Sequence, residues 1–181
     1  MTRVSAAGAT VYRAGRRRVC PGMAHYGLSV HGNSVMAESP GPPSLVDIPG
    51  VPQSAVLGYR RGWGNTFRGA ANRRSIFHFA VPSLNLEDHG GVTLGEVQVL
   101  FHATGTSRVT TVHLWDGHAL MAAFGNLAAG GNHLQPKVGK NAWLFATPPP
   151  ITQGLGISVF VDFGASVSDI LFANAYARFI T

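Results

Sequence analysis

Arg60, Arg61, Trp63, Arg68, Arg73 and Arg74 fall within 15 positions, with Asn65, Thr66 and Asn72 between them. An indole face beside guanidinium groups suits stacking on a sugar ring, holding an anionic ligand, or anchoring a protein interface. Single-stranded nucleic acid is bound by the same residue types. Strand alternation would place Arg61, Trp63 and Asn65 on one face. In a purely structural role, Trp63 would sit in the core and the arginines would keep its rim soluble. Trp115, beside the Asp116-Gly117 turn, is a second aromatic platform, whereas Trp143 reads as core. The expected ligand-binding set is Arg61, Trp63, Arg68, Trp115, Asp116 and His118. Its ligand would be a glycan, another small molecule or a protein partner.

Eight histidines in 181 residues raise the question of a metal. Strand-borne sites use His-x-His, because alternate residues share a face. The chain has no such pair. His113 and His118 bracket Trp115-Asp116-Gly117 and would converge across a hairpin, with Asp116 as third ligand of a metal-dependent enzyme. The plainer reading makes these exposed strand and turn residues, so neither metal nor cofactor is expected. Nucleophilic catalysis finds little support. The single cysteine, Cys20, lies among N-terminal arginines, and no Gly-x-Ser-x-Gly elbow occurs. Glu87-Asp88 beside His89 reads as a solvated loop rather than a carboxylate pair for glycoside hydrolysis. Gly154-Leu155-Gly156 opens a strand and lacks the further glycine of a phosphate-binding loop. No catalytic residue is assigned, and the expectation is a binding module rather than an enzyme.

These side chains must be positioned by strands. Period-2 alternation dominates from Met23 onward. Tyr26, Leu28 and Val30 alternate with His25, Gly27, Ser29 and His31. Five prolines in residues 40–52 mark a loop or edge. Ala55–Arg60 and Trp63–Arg68 read as short strands broken by Gly62. Phe77, Phe79 and Val81 share one face of the next strand, with His78 on the other and hydrogen-bonded within or beside the sheet. Residues 92–102 form a long strand with a bulge at Gly95. Asp116-Gly117 is a hairpin signal before a strand at His118–Phe124. Gly125–Gly139 reads as a loop, and Pro148-Pro149-Pro150 as a spacer that blocks ladder pairing. Ile157, Val159, Val161 and Phe163 point one way, Ser158 and Asp162 the other. Ile170–Ile180 is a closing strand. Leu120–Ala129 is the one segment with helical character, against which Gly125 argues. About nine or ten strands fit an all-β, antiparallel two-sheet β-sandwich, jelly-roll-like in outline.

The formal charge of +6 invites a nucleic-acid reading. Its distribution undoes that reading. Arg3, Arg13, Arg16, Arg17 and Arg18 precede any acidic residue, and beyond residue 22 nine basic residues face eight acidic ones. A secretory signal would place its apolar stretch after the arginines, not before them. Residues 1–22 are therefore expected to be an Arg-rich disordered extension, with Met23 as an alternative start. Residues 23–181 form one domain, nearly neutral, so nucleic acid is not an expected partner. No apolar run is long enough for a membrane-spanning helix. The expected location is cytoplasmic. Low charge density and apolar strands with free edges support an alternative, a self-assembling structural subunit that forms homo-oligomers.

Several segments also resemble, in order, a family of small bacterial β-rich proteins, a domain of unknown function. They are His31-Gly32-Asn33-Ser34-Val35, Arg61-Gly62-Trp63-Gly64-Asn65-Thr66-Phe67-Arg68-Gly69, Phe77-His78-Phe79, Val112-His113-Leu114-Trp115-Asp116-Gly117 and Gly154-Leu155-Gly156-Ile157-Ser158-Val159. The resemblance spans residues 23–181. Val81-Pro82-Ser83-Leu84 departs from the Pro-Thr-Pro that family members often carry there. It implies a compact β-rich domain and brings no activity or site residue with it.

Overall fold

The computed structural model describes residues 24–38, 44–82 and 91–181. The arginine-rich stretch and Glu87-Asp88-His89 lie outside the described residues. The chain opens with β1 (His25–His31), a 3-10 turn (Gly32–Ser34), β2 (Met36–Ala37) and β3 (Leu45–Val46). A one-turn helix, α1 (Ser54–Leu57), precedes β4 (Tyr59–Arg61), β5 (Gly64–Gly69) and β6 (Arg74–Val81). The long β7 (Val92–Ala103) leads to β8 (Arg108–Asp116) and β9 (Ala119–Phe124). Three short pieces follow, β10 (Gly131–His133), β11 (Ala142–Leu144) and β12 (Pro150–Ile151). β13 (Leu155–Asp162) and β14 (Ser168–Ile180) complete the fold.

Two antiparallel sheets result, as a β-sandwich requires. In the first, β14 borders β7 on one side and, on the other, β5 at its start and β1 at its end. β10, β11 and β12 take turns along the far edge of β7, while β3 and β4 both pair with β5. The second sheet runs β2-β6-β13-β8-β9. The pairs nest along the chain: β5 with β14, β6 with β13, β7 with β10 to β12, and β8 with β9. Successive pairs fall alternately in the two sheets.

Alternation decides what is buried. Phe77, Phe79 and Val81 of β6, and Ile157, Val159 and Val161 of β13 with Phe163 just beyond it, all face inward. Phe172 of the first sheet meets Phe77 and Phe79 of the second, with ring centroids 4.9 and 5.6 Å apart. Each such phenyl ring contributes about 1.5–3 kcal/mol by burial alone. Trp143 is core as expected, stacked on Phe124 at 4.7 Å. Gly95 is the extra residue where the register between β7 and β14 shifts, which is the expected bulge. Among the described residues, no helix is long and apolar enough to cross a membrane.

Four local expectations need correction. Ala55–Arg60 is not one strand, because Asp47 turns the chain: its carboxylate accepts from the Ala55 N–H at 2.8 Å and the Gln53 N–H at 3.3 Å. Gly58, at φ 70°, ends the resulting turn of helix by donating to the Ser54 carbonyl. The helical character of Leu120–Ala129 does not appear: the strand expected at His118–Phe124 forms as β9, since pairing with β8 overrides the helical preference of its alanines. The loop 125–139 contains β10, paired with β7. The proline run does not stop pairing: the Pro149 carbonyl accepts from the Leu94 N–H, and Pro150 lies opposite Thr93. An edge position tolerates proline because only one side of the strand needs its donors.

Candidate functional site

Two outward-facing constellations emerge, one on each sheet. The first is the β4–β5 hairpin. Arg61 pairs with Gly64, leaving Gly62-Trp63 as a two-residue loop. The tip is fixed from beneath. His31 Nε2–H donates to the Gly62 carbonyl at 3.1 Å while its Nδ1 accepts from the Asn33 N–H. The Asn33 side-chain amide donates to the Arg61 carbonyl at 2.8 Å. The loop sits close against β14, where a β-carbon on either Gly32 or Gly64 would overlap the Phe172 carbonyl oxygen. Glycine is required at both places for that close approach.

Residues two apart on a strand share a face, so Tyr59 and Arg61 point the same way. The Arg61 guanidinium carbon lies 4.2 Å from the Tyr59 ring centroid and 5.2 Å from that of Trp63. Each cation–π contact at an exposed site is worth about 0.5–1 kcal/mol, enough to bias the side chain without burying its charge. Trp63 remains 52% exposed, so it is not a core residue. Asn65 does not join this face: it is buried, and its amide donates to the Leu57 carbonyl at 3.1 Å. Tyr59 takes the place expected of it.

Arg68 is turned to another task. It lies opposite Asp169 on β14 and grips that carboxylate with two hydrogen bonds, of 2.7 and 3.0 Å. The bond to Asp169 raises the guanidinium pKa above its ordinary value. Arg68 therefore ties β5 to β14 rather than reaching for a ligand.

Asp116 is likewise occupied within the fold. One carboxylate oxygen accepts from the Thr152 N–H and hydroxyl at 2.8 and 2.6 Å, the other from the Gln153 and Gly154 N–H groups at 2.7 and 3.0 Å. Partial burial disfavours its charge, yet these four donors outweigh that effect and hold the pKa at about 2. A carboxylate so saturated latches the β8–β9 hairpin to the approach of β13. His118 stands exposed in that turn, and His113 packs instead on Phe160 and Trp115, at 4.6 and 6.0 Å between centroids. The three do not form a metal centre. Among the described residues, no three His, Cys, Asp or Glu side chains lie close enough to hold one.

The second constellation surrounds Trp115 on the outer face of the second sheet. A cleft of about 440 Å³ is lined by Glu38, Ile76, His78, Trp115, Ser158 and Phe160, among others. Register brings its polar residues together, since Ser158 lies between His78 on β6 and His113 on β8. The Trp115 indole N–H donates to Ser158 Oγ at 3.0 Å. Ser158 Oγ is 3.0 Å from His78 Nδ1, and His78 Nε2 is 3.2 Å from Glu38 Oε2. Sequence reasoning placed His78 and Ser158 outside the core but did not join them, and it missed Glu38 and Tyr59. Tyr59 was legible from its two-residue spacing to Arg61, whereas Glu38 follows a two-residue strand and carries no comparable signal.

An acid, an imidazole and a hydroxyl in series invite comparison with a nucleophilic relay. Two features separate it from one. The indole N–H donates into the serine oxygen whose lone pairs would attack. Ser158 also sits mid-strand, with β6 and β8 pairing its backbone on both sides, where an oxyanion would need free N–H donors.

Comparison with protein-family models, curated proteins and solved structures finds no match. The two sites stand on different sheets, with Trp63 at the first sheet's hairpin and Trp115 on the second sheet's face.

Proposed function

We propose that this protein is a non-catalytic binding module that recognises an acidic glycan through the β4–β5 hairpin. The observation carrying the reading is the Tyr59–Arg61–Trp63 row, an exposed indole with a guanidinium oriented beside it. An indole offers its face to the C–H side of a sugar ring, and arginine takes a carboxylate or sulfate with its planar donor fork. Exposed Arg60 adds positive charge at the same tip. Pre-organisation supports binding, because the anchors from His31 and Asn33 reduce the ordering that a ligand must impose. Nucleic acid is the weaker alternative, since residues 23–181 carry nine basic against eight acidic side chains.

The nested antiparallel pairs support describing the sandwich as jelly-roll-like, an architecture shared by lectin domains. Fold alone does not assign function. The resemblance of residues 23–181 to the small bacterial family adds no residue role. A glycan array displaying acidic and neutral oligosaccharides tests the proposal. Signal confined to acidic glycans is expected, and an array with no signal refutes it.

Self-assembly is the second reading, and β9 favours it: a six-residue edge strand carrying Leu120 half exposed. Light scattering across protein concentration decides it. A constant monomer mass removes the reading, and a concentration-dependent rise supports it.

A further inference from the structure

Among the described residues lining it, the Trp115 cleft offers acceptors and aromatic surface, and its Trp115, Ser158 and His78 donors are already engaged. Its proton arrangement follows from chemistry. An ionised Glu38 only accepts, so His78 Nε2 carries the proton donated to Oε2. In the neutral ring Nδ1 then accepts, and the Ser158 hydroxyl supplies that proton. Ser158 Oγ in turn accepts from Trp115 Nε1–H. One chain of donors thus runs Trp115 to Ser158 to His78 to Glu38 and ends on a carboxylate. Every side-chain N–H and O–H in the chain is already used.

What remains for a ligand is the second oxygen of Glu38, which has no partner among the described residues, and the Trp115 and Phe160 rings. Among the described residues lining the cleft, none is a lysine or arginine. The titratable groups facing it are Glu38, His78 and, from β8 beside the Trp115 and Phe160 rings, His113. Among the described residues, an anion would find no guanidinium or ammonium there and, beyond the His113 ring, no unused side-chain donor. A ligand carrying positive charge and apolar substituents matches both features, through ion pairing with Glu38 and cation–π attraction to the rings. We propose that this cleft is a binding site for a small organic cation of the alkylammonium class. The site is independent of the hairpin and does not depend on the glycan reading.

Calorimetric titration of the full chain with choline, and with its neutral isostere 3,3-dimethylbutan-1-ol, tests the site. Saturable choline binding in the millimolar range is expected, at least about tenfold tighter than the alcohol. Glu38→Gln lies at an exposed carboxylate and should lower choline affinity about tenfold or more while the circular dichroism spectrum stays unchanged. Trp115→Phe keeps an aromatic ring but removes the donor to Ser158, and should also weaken choline. Trp63→Ala should leave choline binding as it is. Equal affinity for choline and the alcohol, no saturable choline binding, or undiminished binding in Glu38→Gln would each overturn the proposal.

Discussion

The Arg61 guanidinium carbon lies 5.2 Å from the centroid of the Trp63 ring, and that ring is half exposed at the tip of a two-residue loop. Neither side chain contributes to the core. A guanidinium so placed is held in position while its outer donors still face water. In the proposed reading that relationship makes the hairpin a recognition element, and its supports can be separated experimentally from its contacts.

Asn33 is a positioning residue, since it touches the Arg61 carbonyl rather than any expected ligand surface. Asn33→Ala should lower glycan affinity several-fold by loosening the tip, with thermal stability changed little. Asn33→Asp, which keeps an acceptor but not the donor, should behave like alanine. Calorimetry of the three proteins alongside melting curves checks this, and an affinity loss tracking a large fall in Tm would mark the effect as general unfolding.

Arg68 separates stability from recognition. Its paired hydrogen bonds to Asp169 join β5 to β14, and both side chains are about a quarter exposed. A double-mutant cycle of Arg68→Ala and Asp169→Ala in urea unfolding should give a coupling of about 1 kcal/mol. Glycan binding by Arg68→Lys should match that of the unaltered chain.

Asp116 gives stability a pH signature. Its folded pKa of about 2 lies below the roughly 3.9 of an unfolded aspartate. The unfolded chain therefore binds more protons between those values, and stability falls as pH falls through that window. Above about pH 5 the contribution is complete, and by about pH 1 it has gone. Asp116→Asn turns one accepting oxygen into a donor facing Thr152 or Gln153, and should cost about 1–3 kcal/mol at neutral pH. Denaturant unfolding at a series of pH values should show the two proteins converging as the solution is acidified from pH 4 to 2.

Phe172 is one of the rings through which the two sheets meet, contacting Phe77 and Phe79, as Phe67 also contacts Phe77. Phe172→Ala should destabilise the domain by about 3–5 kcal/mol through lost burial and the cavity left behind. Chemical denaturation measures it. A loss under 1 kcal/mol would mean that the core closes over the gap.

Alternation made the core legible in the sequence. Phe77, Phe79, Ile157, Val159 and Val161 needed only a period of two to be placed inward, and Gly95 only its position in a long apolar run. Pairing between distant strands was not legible. Arg68 and Asp169 are 101 residues apart, and His78 and Ser158 are 80 apart. Arg68 by its type suggested ligand contact, and His78 was expected to hydrogen-bond within or beside the sheet, with no partner named. Register supplied the partner in each case, Asp169 for Arg68 and Ser158 for His78. Asp116 misled for a related reason: the same carboxylate chemistry that binds metals binds backbone N–H groups, and the Thr152–Gly154 segment arrives from 36 to 38 residues away. The tip survived as a candidate because its residues are local, although a wrongly continuous strand over Ala55–Arg60 hid the role of Tyr59.

The central claim is that the hairpin row binds acidic sugars. Glycan-array binding by the full chain and by Trp63→Ala tests it most directly, because removing a half-exposed ring should change folding stability by no more than about 0.5 kcal/mol. The account predicts signal on acidic glycans alone, reduced about tenfold or more in the variant. Binding by Trp63→Ala equal to that of the unaltered chain, or no binding by either, would contradict it.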